Sequence, residues 1–135
     1  MTWCGNAVCP TCISNSNSFI GGGRLNLVDA GSKSAGITSG QQNVVGSNGS
    51  TAIYGFVGGG FRNSVTAGYG SISGGWRNIV SGEYGTVVGG FSNTVTGEAS
   101  VALGSSTVVT TDYAAVLGFK SGGGSCTSTG VGTIT

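Results

Sequence analysis

Tyr54 to Glu98 reads as three consecutive lines: YGFVGGGFRNSVTAG, YGSISGGWRNIVSGE and YGTVVGGFSNTVTGE. Tyr54, Tyr69 and Tyr84 are 15 residues apart, as are Phe61, Trp76 and Phe91, and Asn63, Asn78 and Asn93. A period this short, punctuated by glycines at fixed places, marks a solenoid. One repeat is one coil, too small to bury a core alone and stable only against its neighbours.

The middle line gives the expected coil. Tyr69 to Ser73 alternates in polarity and reads as a strand, and Asn78 to Ser81 reads as a second. Gly74 to Asn78 forms the turn between them, with glycine and asparagine supplying the left-handed backbone that a turn requires. Gly82 and Glu83 turn the chain back to Tyr84. The reading is therefore all-β: a parallel β-roll, or β-solenoid, of 14–15-residue coils stacked about 4.8 Å apart. Glycine at this frequency opposes helix.

In-register stacking places like on like. Phe61, Trp76 and Phe91 are expected to form an aromatic ladder. Asn63, Asn78 and Asn93 are expected to form an amide ladder that satisfies turn backbone. Tyr54, Tyr69, Tyr84 and Tyr113 form a stripe, read as interface or core packing ahead of a platform for sugars. Arg62 with Arg77, and Glu83 with Glu98, would stack like charges, so these side chains should reach solvent or a partner.

The period extends outward from this centre. Phe19 to Val28 and Ser34 to Val45 match it, with insertions at Asp29 to Lys33 and Gly46 to Ser50. After Glu98 the step becomes 14: Ser100-Val101-Ala102-Leu103-Gly104 returns as Ala114-Ala115-Val116-Leu117-Gly118, and Gly-Gly-Phe-Ser-Asn shortens to Gly-Ser-Ser-Thr. This gives six coils and, in Gly130-Val131-Gly132, the echo of a seventh. The expected layout is an arm at 1–18, the roll at 19–119, and a glycine-rich linker with a C-terminal strand at 120–135.

Composition removes several function classes. The chain has 135 residues, 7% of them charged, a net charge of +1 and no histidine. Nucleic-acid binding is not expected. The start lacks a basic segment followed by an apolar run, and no stretch reaches the ~18 apolar residues of a membrane span. Cys4, Cys9 and Cys12 precede the roll and Cys126 follows it. Zinc needs four ligands, and Cys9-Pro10-Thr11-Cys12 has neither a second knuckle nor a histidine to complete the set. The four cysteines read as disulfides in an oxidising setting, or as free thiols. No metal, cofactor or enzymatic activity is expected. A nucleophile–histidine pair is impossible, and stacked Glu83 and Glu98 lie on a turn that reads as a solvated edge.

The 14-residue motif, Ser100-Val101-Ala102-Leu103-Gly104 and Ala114-Ala115-Val116-Leu117-Gly118, resembles the head repeat of YadA-type trimeric autotransporter adhesins. The 15-residue form, Val/Ile-x-Gly-Gly-aromatic-x-Asn-x-Val, is similar to glycine-rich repeats of phage tail fibres and other surface fibres. Together they cover Phe19 to Phe119. The resemblance implies a left-handed roll with three chains around a common axis, on an extracellular surface or a virion. A thin core independently favours an oligomer, because few inward aliphatics per coil fall short of the cost of ordering it. The expected function is a structural or adhesive fibre module, a homotrimer stacking head to tail into a filament. The alternatives are a receptor- or glycan-binding section of a tail fibre, and an ice-binding solenoid using the hydroxyl column Thr66, Ser81, Thr96 and Thr110.

Overall fold

A computed structural model of the chain describes residues 11–13, 17–47, 49–119 and 126–128. The chain winds as an all-β solenoid of about seven turns. Every strand pairing is parallel, and each turn contributes one strand to each of two sheets. The first sheet stacks eight strands: Thr11–Ile13, Asn26–Val28, Val44–Val45, Ser64–Val65, Ile79–Val80, Thr94–Val95, Thr107–Val109 and Cys126–Ser128. The second stacks seven: Phe19–Ile20, Gly36–Ile37, Phe56–Val57, Ser71–Ile72, Thr86–Phe91, Val101–Ser105 and Ala115–Gly118. The first sheet thus takes in Thr11–Ile13 and Cys126–Ser128, beyond both ends of the 19–119 repeat.

The core is one residue deep. Val28, Val45, Val65, Val80, Val95 and Val109 form a file from the first sheet. Ile37, Val57, Ile72, Val87 and Ala102 face them from the second, and all eleven are fully buried. The sheets are closest where the middle turns re-enter the second sheet, and glycine stands there at Gly55, Gly70 and Gly85. A Cβ on Gly70 would lie 2.7 Å from Val65 Cγ1 and 3.0 Å from Val80 Cγ1.

A column of asparagines ties one turn to the next. Asn26, Asn43, Asn63, Asn78 and Asn93 are all buried. The amide nitrogen of Asn78 donates to the Gly74 carbonyl in its own turn and to the Gly90 carbonyl in the next, each at 3.1 Å. Its Oδ1 accepts the backbone N–H and the side-chain amide of Asn93, both at 3.0 Å. Asn63 and Asn93 make the equivalent bonds along the stack. The column ends at Thr107, whose backbone N–H donates to Asn93 Oδ1 but whose Oγ1 is the one buried side-chain polar atom without a hydrogen-bond partner among the described residues.

The bends differ from the sequence expectation in a specific way. The expected left-handed glycines are present, at Gly60, Gly75 and Gly90 with φ between 92° and 106°, but the asparagines of the column do not adopt that conformation. Two other columns do: Leu25, Gln42, Arg62, Arg77, Ser92 and Ser106 on one edge, at φ between 52° and 58°, and Ser34, Tyr54, Tyr69, Tyr84, Ala99 and Tyr113 on the other, at φ between 48° and 58°. Tyr69 is therefore a bend residue, and the strand begins at Ser71. A left-handed side-chain-bearing residue costs on the order of 1–2 kcal/mol. From Gln42 and Tyr54 onward each is pinned by a bond to the preceding turn: Arg77 N–H donates to the Phe61 carbonyl at 2.9 Å, and Tyr84 N–H to the Gly68 carbonyl at 3.1 Å.

The change of step from 15 to 14 also lies elsewhere than expected. Val87 pairs with Ala102, but Gly89 pairs with Leu103, so Val88 is the extra residue and stands out as a bulge. The turn itself keeps register, with Gly90 opposite Gly104 and Phe91 opposite Ser105.

Two outcomes follow for stability, measured by urea unfolding at fixed protomer concentration. Asn78→Ala leaves the Gly74 carbonyl and the Asn93 N–H without the partner that the amide supplies, and removes one of the two donors to the Gly90 carbonyl, which keeps the Trp76 N–H. At about 1–3 kcal/mol for each buried group left unpaired, the loss should exceed roughly 2 kcal/mol; a loss below about 1 kcal/mol contradicts the amide column. Ala99 is exposed with φ 48°. Ala99→Gly should raise stability by about 0.5–1 kcal/mol, while Ala99→Val, β-branched in a left-handed site, should lower it.

Candidate functional site

The two bends of every turn build two long edges, and these hold most of the chemistry. On the first edge, Phe61, Trp76 and Phe91 sit one above another in bridge register. Their rings are tilted, with centroids 6.3 Å apart for Phe61 and Trp76 and 4.9 Å for Trp76 and Phe91. Trp76 is 48% exposed, so this ladder covers the outside of the bend and is not core. Arg62 and Arg77 follow the aromatic residues and are exposed. Arg62 donates from Nε to Gln42 Oε1 of the preceding turn at 2.8 Å and lies 5.1 Å from the Phe61 ring centre. The stacked arginines thus turn to solvent, the outcome that like charges one rung apart require.

The second edge carries Tyr54, Tyr69 and Tyr84. Tyr54 and Tyr69 stack at 5.1 Å with an interplanar angle of 28°, and Tyr69 and Tyr84 at 4.7 Å and 12°. All three are about half exposed, so core packing is excluded within the chain. Stacking occupies both faces of Tyr69, which leaves its ring edge and hydroxyl to the outside. Ala99 interrupts the stripe, and Tyr113 resumes it, its hydroxyl donating to Glu98 Oε1 at 3.4 Å. Glu83, Glu98 and Asp112 form the adjoining column, exposed throughout. Asp112 Oδ1 accepts the Glu98 backbone N–H at 2.8 Å. Glu83 also borders a shallow polar groove with Thr51, Thr66, Tyr69 and Ser81. Partial desolvation in the stack, then the charge of Glu83, the Tyr69 hydroxyl and Glu98, raise the Tyr84 phenol above its ordinary 10.0.

The hydroxyl column is partly engaged with the backbone. Thr66 Oγ1 donates to the Val80 carbonyl at 3.5 Å and Thr96 Oγ1 to that of Val109 at 3.3 Å. Cys12 lies in register with Leu27 at one end of the first sheet, and Cys126 with Thr107 at the other. Across eight strands spaced about 4.8 Å, the two are separated by on the order of 30 Å. A disulfide needs Cα atoms within about 7 Å, so these two cannot bond each other within one chain. Cys4 and Cys9, and with them the Cys9–Cys12 spacing, lie outside the described residues.

One surface was not singled out from the sequence. The outer face of the second sheet is apolar near its C-terminal end, where Val88 is 47%, Leu117 55% and Phe119 74% exposed. Phe91, Leu103 and Phe119 line an open groove there. The signal is present in Val101-Ala102-Leu103, where apolar residues occupy both faces of a strand instead of alternating. No protein-family model matches the chain, and no curated protein matches it.

The charge around the tyrosine stack is open to titration. Tyr84 should ionise above pH 10, and Glu83→Gln should move its midpoint down towards that value. Absorbance titration of the wild type, Glu83→Gln and Tyr84→Phe checks this. An unchanged curve in Glu83→Gln separates the carboxylate from the ring.

Proposed function

We propose that the chain is a structural module of an extracellular or virion fibre, built by three copies of a left-handed roll packed side by side and stacking end to end. The observation that carries this reading is the pairing of a core one residue deep with a large apolar exterior. Val88, Leu117 and Phe119 on one sheet face, and Trp76 and the tyrosines on the two edges, give a 13.1 kDa chain three exposed apolar surfaces. Burial between copies supplies what each coil lacks. The repeat motifs, similar to those of YadA-type heads and tail fibres, point the same way.

End-to-end growth has its own support. Among the described residues, Thr11–Ile13 and Cys126–Ser128 are the terminal strands of the first sheet, and a terminal strand is where further parallel pairing can add. The separation of Cys12 from Cys126 fits a joint in which Cys126 of one unit meets the N-terminal cysteines of the next. A glycan- or receptor-binding role ranks below this, because the stacked tyrosines offer few free ring faces. Ice binding ranks lower still, since two of its four column hydroxyls bond to backbone.

Light scattering should give three times 13.1 kDa, or a multiple of that mass. Electron microscopy should show filaments, and Cys126→Ser should change the ladder of covalent oligomers on non-reducing gels. A folded monomer at micromolar concentration overturns the module; single trimers with an unchanged ladder overturn the end-to-end joint.

A further inference from the structure

From Arg62 to Asp112, charge is segregated across the solenoid in a way that neither the core nor the turns require. Among the described residues, Arg24, Arg62 and Arg77 lie on the aromatic-ladder edge, and Glu83, Glu98 and Asp112 lie on the tyrosine edge opposite, which in its N-terminal turns also carries Asp29 and Lys33. Within one turn the two groups stand apart: Arg77 and Glu83 flank the strand Ile79–Val80 from opposite edges, six residues or roughly 20 Å of extended chain from each other. Each column also leaves like charges one rung apart, an arrangement relieved by solvent or by opposite charge from outside the column. Arg77 is exposed, and so are Glu83 and Glu98.

The spacings match. Arg62 and Arg77 are one turn apart, because Phe61 and Trp76 before them are paired. Glu83 and Glu98 are also one turn apart, since Ala99 N–H donates to the Glu83 carbonyl. Both columns inherit the pitch of the same parallel sheets, about 4.8 Å. A single axial alignment of two copies therefore brings two arginines to two glutamates at once. Beside the glutamates, Tyr69 and Tyr84 present hydroxyls that can accept guanidinium N–H groups, and both edges are lined by exposed aromatic rings. The two surfaces are complementary in charge, in repeat and in aromatic character, and each copy carries one of each.

We propose that the aromatic–arginine edge of one copy docks on the tyrosine–glutamate edge of a second copy, pairing Arg62 and Arg77 with Glu83 and Glu98. This rests on the reading of the chain as a self-assembling module and specifies its lateral contact. Such a contact is heterologous: each copy gives a different edge to its two neighbours, so the assembly closes into a ring or continues as a sheet or helix. The apolar sheet face then lies beside this seam instead of forming it alone.

The test uses the full chain in three variants: Arg62→Glu/Arg77→Glu, Glu83→Lys/Glu98→Lys, and all four changes combined. Each two-residue variant has two edges of like sign, while the combined variant restores opposite signs with the edges exchanged. Far-ultraviolet circular dichroism verifies the fold, which these exposed side chains do not build. Sedimentation at 0.05 M and 1 M salt reads the assembly. The expected result is self-association weakened roughly 100-fold in each two-residue variant, the scale of like-charge juxtaposition at an interface. It should recover in the combined variant and weaken in salt for the wild type. If the two-residue variants keep the wild-type mass, the edge contact is wrong while self-assembly stands. Failure of the combined variant to recover, with its fold intact, overturns the pairing. A wild type that sediments as a 13.1 kDa monomer overturns both.

Discussion

The structure depends on an asparagine whose amide serves two turns. Asn78 accepts from the following turn and donates to carbonyls in both, so one side chain closes a bend and fixes the distance to its neighbour. With the column in place, glycine carbonyls in the bends of one edge find donors within the protein, and each coil is tied in register to the next. Everything else follows that alignment: the single file of valines, the stacked tyrosines and the clustering of charge. The residue that ends the column, Thr107, cannot do what the amide does, and its buried hydroxyl oxygen finds no partner among the described residues.

Such register makes each side chain a column. A substitution that is mild once becomes a surface property when it recurs at the same step. Tyrosine stacked at 4.7 Å becomes a ridge that hides its own faces, and arginine one rung from arginine becomes a strip of charge. The thinness of the core sharpens the effect. With one inward aliphatic per strand, most remaining apolar area is turned outward, and two grooves and two edges are left as candidate surfaces. Association between copies is the economical use of that exterior.

The bends show where local preference yields. Glycine and asparagine are the ordinary residues for a left-handed backbone, and both abound here. Glycine takes one left-handed position of each such bend, at Gly60, Gly75 and Gly90, yet others go to Arg62, Arg77, Tyr69 and Tyr84. Asparagine is drawn inward by the carbonyls of two turns. Glycine is needed where the chain passes close to another strand, as at Gly70 against Val65 and Val80. Arginine and tyrosine share these strained corners with Ser34, Ser92, Ala99 and Ser106, so the corner selects a backbone and not a side-chain length. The hydrogen bonds that Arg77 and Tyr84 make to the preceding turn hold the corner in place.

The 15-residue period between Tyr54 and Glu98 was enough, without coordinates, to specify stacked parallel strands, the amide and aromatic columns and the absence of helix. A period is a one-dimensional property, and stacking at one turn per repeat converts it directly into neighbours. The tertiary structure decided what a period cannot contain. It assigned the left-handed corners, located the extra residue at Val88, turned the aromatic and tyrosine columns to the exterior, and set Cys12 and Cys126 at opposite ends of one sheet. These depend on which face of a coil meets its neighbour and on how closely two backbones approach. Both are fixed by close packing and by the demand that buried carbonyls find donors, and neither is written in the spacing of residue types.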